Sequence, residues 1–195
     1  RPARQLDAVA VGIFAVVVSA AGAARPSLWF DEAATISAGT RSVPELWRML
    51  GNIDAVHGLY YLVMHGWFAI VPATEFWSRL SSSLAVGLAA AGVVVLGRQL
   101  STRSVAVTAG VTFALLPRVT WAGIETRSYA LCMVGGVWLT VLCIGAIRHN
   151  RARWWAAYCA LVAVGTVLNV FVVLILGVHA VLVAVLTDAR SIRLR

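Results

Sequence analysis

Residues 154–186 run for 33 positions without an aspartate, glutamate, lysine or arginine. No soluble domain of this size needs such a run, and at about 20 residues per membrane crossing it is too long for one helix. It is therefore expected to fold as a tight hairpin of two helices turning at Asn169. Similar apolar runs occupy residues 6–24, 77–96, 105–121 and 129–147. Composition agrees: 61% of the 195 residues are hydrophobic and only 12% are charged. Soluble domains sit near 45–50% apolar with about a quarter charged, so a water-soluble or disordered chain is excluded. Alternating strands of about ten residues are absent, which argues against a membrane β-barrel.

The expected fold class is all-α, a polytopic integral membrane protein of about six transmembrane helices. The spans are placed at 6–24, 77–96, 105–121, 129–147, 154–168 and 170–186 within a single module, 1–195. Residues 6–24 could be a signal peptide, since Ala21 to Ala24 resembles a cleavage site, but the run is long and more spans follow. The first residue is Arg1 rather than Met, so the start is expected to be trimmed.

Topology turns on the apolar segment 57–71, which is short for a span. If it lies flat as an amphipathic interfacial helix in a first outer loop, 25–76, the charges sort cleanly. Arg1, Arg4, Arg98, Arg103, Arg148, Arg151, Arg153, Arg190, Arg193 and Arg195 then face the cytoplasm against only Asp7 and Asp188. Six arginines and six acids remain outside, in accord with the positive-inside rule. The amino terminus is thus expected in the cytoplasm. His57, Tyr61 and His65 recur every fourth residue and share one face of that helix, with Leu59, Leu62, Val63 and Ile70 mostly elsewhere.

The net charge of +8 comes from 16 arginines with no lysine. These fall in short clusters between apolar runs, which is the pattern of membrane loops, so no nucleic-acid partner is expected. The lysine-free composition reads as coding bias. Cys132, Cys143 and Cys159 lie inside apolar segments as small fillers. The chain has no internal repeat and no low-complexity linker.

Two clusters can carry chemistry, both on the expected outer side. Asp31 and Glu32 stand just after the first span. Adjacent carboxylates repel and poor solvation raises their pKa values, which suits a general base for a hydroxyl. The same pair could simply open a helix and complement its dipole. Glu125, Arg127 and Tyr129 follow the third span. Charge drawn towards a span's centre costs up to about 3 kcal/mol, so such groups usually have partners. Glu125 and Arg127 would need a turn to pair with each other. Arg127 could hold a phosphate, or anchor the interface with Tyr129. Arg79 and Arg118 could meet the same anion or snorkel. Asp54, His57 and His65 do not have recognised metal spacing, and polar-face hydrogen bonding is the simpler reading. His179 within the last span is expected to be satisfied by a neighbouring helix.

The segments Leu28-Trp29-Phe30-Asp31-Glu32-Ala33, His57-Gly58-Leu59-Tyr60-Tyr61-Leu62 and Glu125-Thr126-Arg127-Ser128-Tyr129-Ala130-Leu131 resemble, in order and spacing, the amino-terminal half of the GT-C membrane glycosyltransferases. The nearest branch is the protein O-mannosyltransferase-like and aminoarabinose transferase-like group. The family often carries Pro-Pro where His57 and Gly58 stand, and its members are longer than this chain. The resemblance implies sugar transfer, with mannose as the expected sugar, from a polyprenyl-phosphate carrier at the outer face of the cytoplasmic membrane. The acceptor would be a hydroxyl of a glycan, lipid or protein. It gives Asp31 the role of catalytic base with Glu32 beside it, and puts Arg127 and Tyr129 at the carrier phosphate. Arg79 would assist there, and His57, Tyr61 and His65 would line the approach. No cofactor is implied beyond the lipid-linked donor, and a divalent metal stays open. The other expectations are a non-catalytic scaffold or remnant working with a partner subunit and, third, a transporter. The last is disfavoured because no span carries a buried acid.

Overall fold

The computed structural model describes residues 2–193, with side chains over 5–186. Arg1 and Arg195 lie outside the described residues, and the side chains of Arg4, Asp188, Arg190 and Arg193 outside the described side chains. Every regular element among the described residues is helical. In chain order they are α1 (Pro2–Ala20), α2 (Phe30–Gly39), α3 (Val43–Leu50), a 3-10 turn (Ala55–His57), α4 (Gly58–Phe68), α5 (Glu75–Leu100), α6 (Arg103–Leu115) and α7 (Pro117–Gly123). Then follow α8 (Tyr129–His149), α9 (Ala152–Leu168), a second 3-10 turn (Val170–Leu174) and α10 (Ile175–Arg193).

Two of these, α5 and α8, are long and apolar enough to cross a membrane. The pair α6 and α7 makes a third if it is one broken span, bent by 63°. The cause of the bend is Pro117. It lacks an N–H, and its ring pushes Leu116 into an extended conformation (φ −64°, ψ 128°), so the helix must break and restart. Residues 5–20, 152–168 and 170–186 form shorter apolar helices. The break between the last two falls at Asn169, whose extended backbone ends α9 and whose side-chain oxygen accepts from the Phe171 amide at 3.0 Å.

The centre of the bundle is α5, which packs against α1, α6 and α8. Small residues bring these helices close. A Cβ on Gly87 would lie 2.8 Å from the Gly12 carbonyl oxygen and 2.4 Å from Val16. Ala8, Ala15, Ala85, Ala90, Ala106 and Ala114 fill the same interface, as is usual where lipid rather than water surrounds the bundle. The outward faces carry large apolar side chains, including Leu6, Val9, Ile13, Val17, Leu84, Leu88, Val178 and Val181. An apolar exterior over successive helix turns is what a hydrocarbon solvent selects.

One end of the bundle is closed by charge. Asp7 on α1 accepts from Arg103 on α6 (2.7 and 2.9 Å) and from Arg98 at the end of α5, while Arg148 on α8 donates to the Gln99 carbonyl. The region 25–76, treated as a loop from sequence, is largely helical, and α2, α3 and α4 lie at the opposite end. There α4 packs against α2. Its Tyr60, Tyr61 and Met64 point into the protein, while Leu62, Val63 and Ile70 face outwards.

The Gly12–Gly87 approach is a close helix contact that a single mutation can test. Gly87→Val is expected to cost about 1–3 kcal/mol by overpacking and to lower the melting temperature in detergent. Gly22→Ala, at a position with open space around it, is expected to leave it unchanged.

Candidate functional site

The polar end is organised by a buried ion pair that sequence adjacency did not reveal. Trp29 is extended and α2 starts at Phe30, so Asp31 and Glu32 both lie in its first turn, where acids complement the helix dipole. Successive helical residues point about 100° apart, and the two carboxylates part company here. Glu32 turns inwards and is almost wholly buried, as is Arg79 one turn into α5. Arg79 grips it with two parallel bonds, Nε to Oε1 at 2.9 Å and Nη2 to Oε2 at 2.6 Å. The remaining guanidinium donors go to the carbonyls of Ala23 (2.8 Å), Pro26 (2.6 Å) and Ser27 (3.2 Å). All five N–H groups are used.

Two expectations are corrected by this geometry. Burial pushes the Glu32 carboxyl up, but the hydrogen bonds from Arg79, with the Thr126 amide at 3.0 Å, outweigh it and hold Glu32 below the usual carboxylate range. The raised pKa expected of a repelling pair is thus reversed for Glu32, because its partner is a cation 47 residues away rather than its neighbour. Arg79 has no donor left for an external anion. Both residues hold the site together and cannot touch a substrate.

Asp31 keeps an open side chain, 34% exposed, and among the described residues its one charged partner is Arg127 at 3.7 Å. That separation is an ion pair but too long for a hydrogen bond. Arg127 is only 15% exposed, yet among the described residues nothing accepts a hydrogen bond from its guanidinium. It sits in the turn 124–128 between α7 and α8, which is held from several sides. Ser83 donates to the Gly123 carbonyl (2.8 Å) and Ser82 to the Glu125 carbonyl (2.6 Å). Asn169 reaches the Ser128 hydroxyl at 3.3 Å. Tyr129, the first residue of α8, stacks on Trp121 at 5.7 Å, and Arg118 lies 4.2 Å above the Trp121 ring.

Glu125 does not pair with Arg127, although the chain does turn between them. The residue is 8% exposed, and its carboxyl accepts from the Trp29 indole at 3.0 Å. Burial, reinforced by the charge of Glu32, pushes Glu125 upwards.

The face of α4 that carries His57, Tyr61 and His65 is occupied by the protein itself. Tyr61 is buried and donates to Asp54 at 3.1 Å, and burial with the Asp54 charge pushes its phenol up to about 12. Asp54 sits in the left-handed region at φ 57°, an unusual conformation outside glycine. The Nδ1 of His65 donates to the Gly39 carbonyl at 3.1 Å, which ties α4 to the end of α2. Tyr61 and His65 therefore fasten the outer helices together and do not line an open approach. His57 is half-buried, 3.8 Å from Asp54. Among the described residues no three His, Cys, Asp or Glu side chains converge on a metal position.

Sequence reading missed Trp29, Ser82 and Ser83. The cluster Ser78-Arg79-Leu80-Ser81-Ser82-Ser83 at the head of an apolar helix was the available signal, since a charge and hydroxyls placed there need polar partners. No family model, curated protein or solved structure matches the chain.

Glu32→Gln would leave the Arg79 charge buried without its counter-ion, at an expected cost of about 3–5 kcal/mol. The wild-type pH dependence has a defined sign. Glu32 has a folded pKa below its unfolded one, so its contribution is complete above about pH 4.3 and is lost as pH falls through the folded value. Melting temperatures in detergent should therefore fall in acid for the wild type. Glu32→Gln should melt lower throughout and lack this acid component.

Proposed function

We propose that this chain is the amino-terminal membrane module of a glycosyltransferase that uses a polyprenyl-phosphate-linked sugar at the outer face of the cytoplasmic membrane. In this reading the three shorter apolar helices join α5, α8 and the α6–α7 pair to make six spans. The observation that carries the function is the pairing of Asp31, a half-open carboxylate, with Arg127, a half-buried side chain whose guanidinium has no hydrogen-bond acceptor among the described residues. A base and an unfilled anion site, brought side by side from positions 96 apart in sequence, are what sugar transfer from a lipid phosphate requires.

The chemistry follows from those two groups. Asp31 takes the proton of an acceptor hydroxyl as that oxygen attacks the anomeric carbon. The bond from that carbon to the phosphate oxygen breaks, and polyprenyl phosphate leaves with its new charge against Arg127. Tyr129, beside the same turn, borders the phosphate. Mannose, as the sugar, rests on the resemblance alone.

Assay of membranes containing the native protein with a radiolabelled polyprenyl-phosphate sugar tests this directly. Asp31→Asn is expected to lower transfer by about 100- to 10,000-fold without shifting the melting temperature. Arg127→Ala should lower it by about 100- to 1,000-fold and weaken donor binding. Full transfer by Asp31→Asn would remove Asp31 as the base.

A further inference from the structure

Glu125 and Arg127 are left incomplete in complementary ways. Glu125 is a buried carboxyl whose only side-chain donor is the neutral Trp29 indole at 3.0 Å, and among the described residues it forms no ion pair. Arg127, two residues on in the same turn, is a half-buried cation for which nothing among the described residues accepts a hydrogen bond. A carboxylate withdrawn from water favours its neutral form, and for Glu125 burial outweighs the Trp29 bond and the charges of Arg79 and Arg127, so the carboxyl is shifted upwards.

The surrounding charges show what that neutrality does. From α2 come Asp31 and Glu32, from α5 Arg79 with Glu75 beyond it, from α4 Tyr60 and Tyr61, from α7 Arg118 and from α8 Tyr129. Glu32 and Arg79 cancel each other. With Glu125 neutral, Arg127 faces only the Asp31 carboxylate, at 3.7 Å. With Glu125 ionised, a second negative charge acts on the same guanidinium and on any anion brought to it.

We propose that Glu125 is a positioning residue that couples phosphate binding to a proton: as a neutral acid held by Trp29 it leaves Arg127 open to a prenyl phosphate ester, and on losing its proton it opposes that anion. This rests on the reading of Arg127 as the phosphate site. By reciprocity, a bound anion raises the proton affinity of Glu125 by the same factor that the proton raises anion affinity.

The test is calorimetric binding of methyl geranyl phosphate, a diester that is singly charged throughout, to the purified full chain in detergent. Titrations run at a series of pH values between about 5 and 9, above the usual carboxylate range. Wild-type affinity should weaken as pH rises, in total by about five- to 100-fold. Glu125→Gln should bind at every pH as the wild type does at low pH. Trp29→Phe should retain the pH dependence but move its midpoint upwards, because the indole bond favours the ionised form; a purely structural role would leave the midpoint in place. An identical pH slope in wild type and Glu125→Gln, with binding still lost in Arg127→Ala, overturns the proton coupling alone. Absence of binding in the wild type, or binding indifferent to Arg127→Ala, overturns the phosphate reading and the coupling with it.

Discussion

The Glu32–Arg79 ion pair is the interaction on which the polar end of the molecule depends. Two charges withdrawn from water are tolerated only when every lone pair and proton between them is satisfied, and here the guanidinium meets that condition with five bonds. Three of them take the carbonyls of Ala23, Pro26 and Ser27, which belong to the stretch leaving α1, where helix ends present unpaired acceptors. Glu32 in turn takes the Thr126 amide. One buried pair therefore joins the exit from α1, the first turn of α2, the head of α5 and the turn before α8. Because Glu32 is fixed, the next residue back is fixed as well, and the helical rotation sends Asp31 to the open side facing Arg127.

The opposite end uses charge differently. Asp7 collects Arg98 and Arg103 there, with Arg103 largely exposed. Exposed ion pairs of this kind contribute little to stability. Their effect is to gather the ends of α1, α5 and α6 on one side, while Arg148 brings α8 to the same place. Between the two charged ends the helices meet through glycine and alanine and show larger apolar side chains to the outside. That inversion of the soluble pattern follows from a solvent that offers no hydrogen bonds.

Much of this architecture is written in local sequence, and the rest is not. Apolar runs and Asn169 are enough to indicate the long helices and the break between α9 and α10, whereas the expected single span 105–121 ran straight through Pro117, where the chain bends by 63°. The periodicity of His57, Tyr61 and His65 indicates a shared face but carries no sign of its direction. Which way it turned depended on Asp54 and Gly39, reached only after the chain folds back. The state of Glu32 could not be read from Asp31 beside it, because a bidentate cation 47 residues away outweighs a neighbouring carboxylate. Trp29 and Glu125, 96 residues apart, leave no trace in either local pattern. What sequence did offer was the anomaly of Arg79 and a run of serines inside an apolar segment, and such anomalies point to partners without naming them.

Arg79 has every donor used, whereas among the described residues nothing accepts from the Arg127 guanidinium, although both arginines stand at the same end of the same bundle. Charge count does not explain the contrast, because carboxylates stand near both. Geometry explains it: Glu32 approaches Arg79 in the plane of the fork, Asp31 stops beyond hydrogen-bonding distance of Arg127, and Glu125 is drawn aside by the Trp29 indole. A cation left without a protein acceptor beside a carboxylate is an exception that a ligand can complete. Bonds from Ser82 to Glu125, from the Thr126 amide to Glu32 and from Asn169 to Ser128 fix the 124–128 turn, and with it the place from which Arg127 faces Asp31.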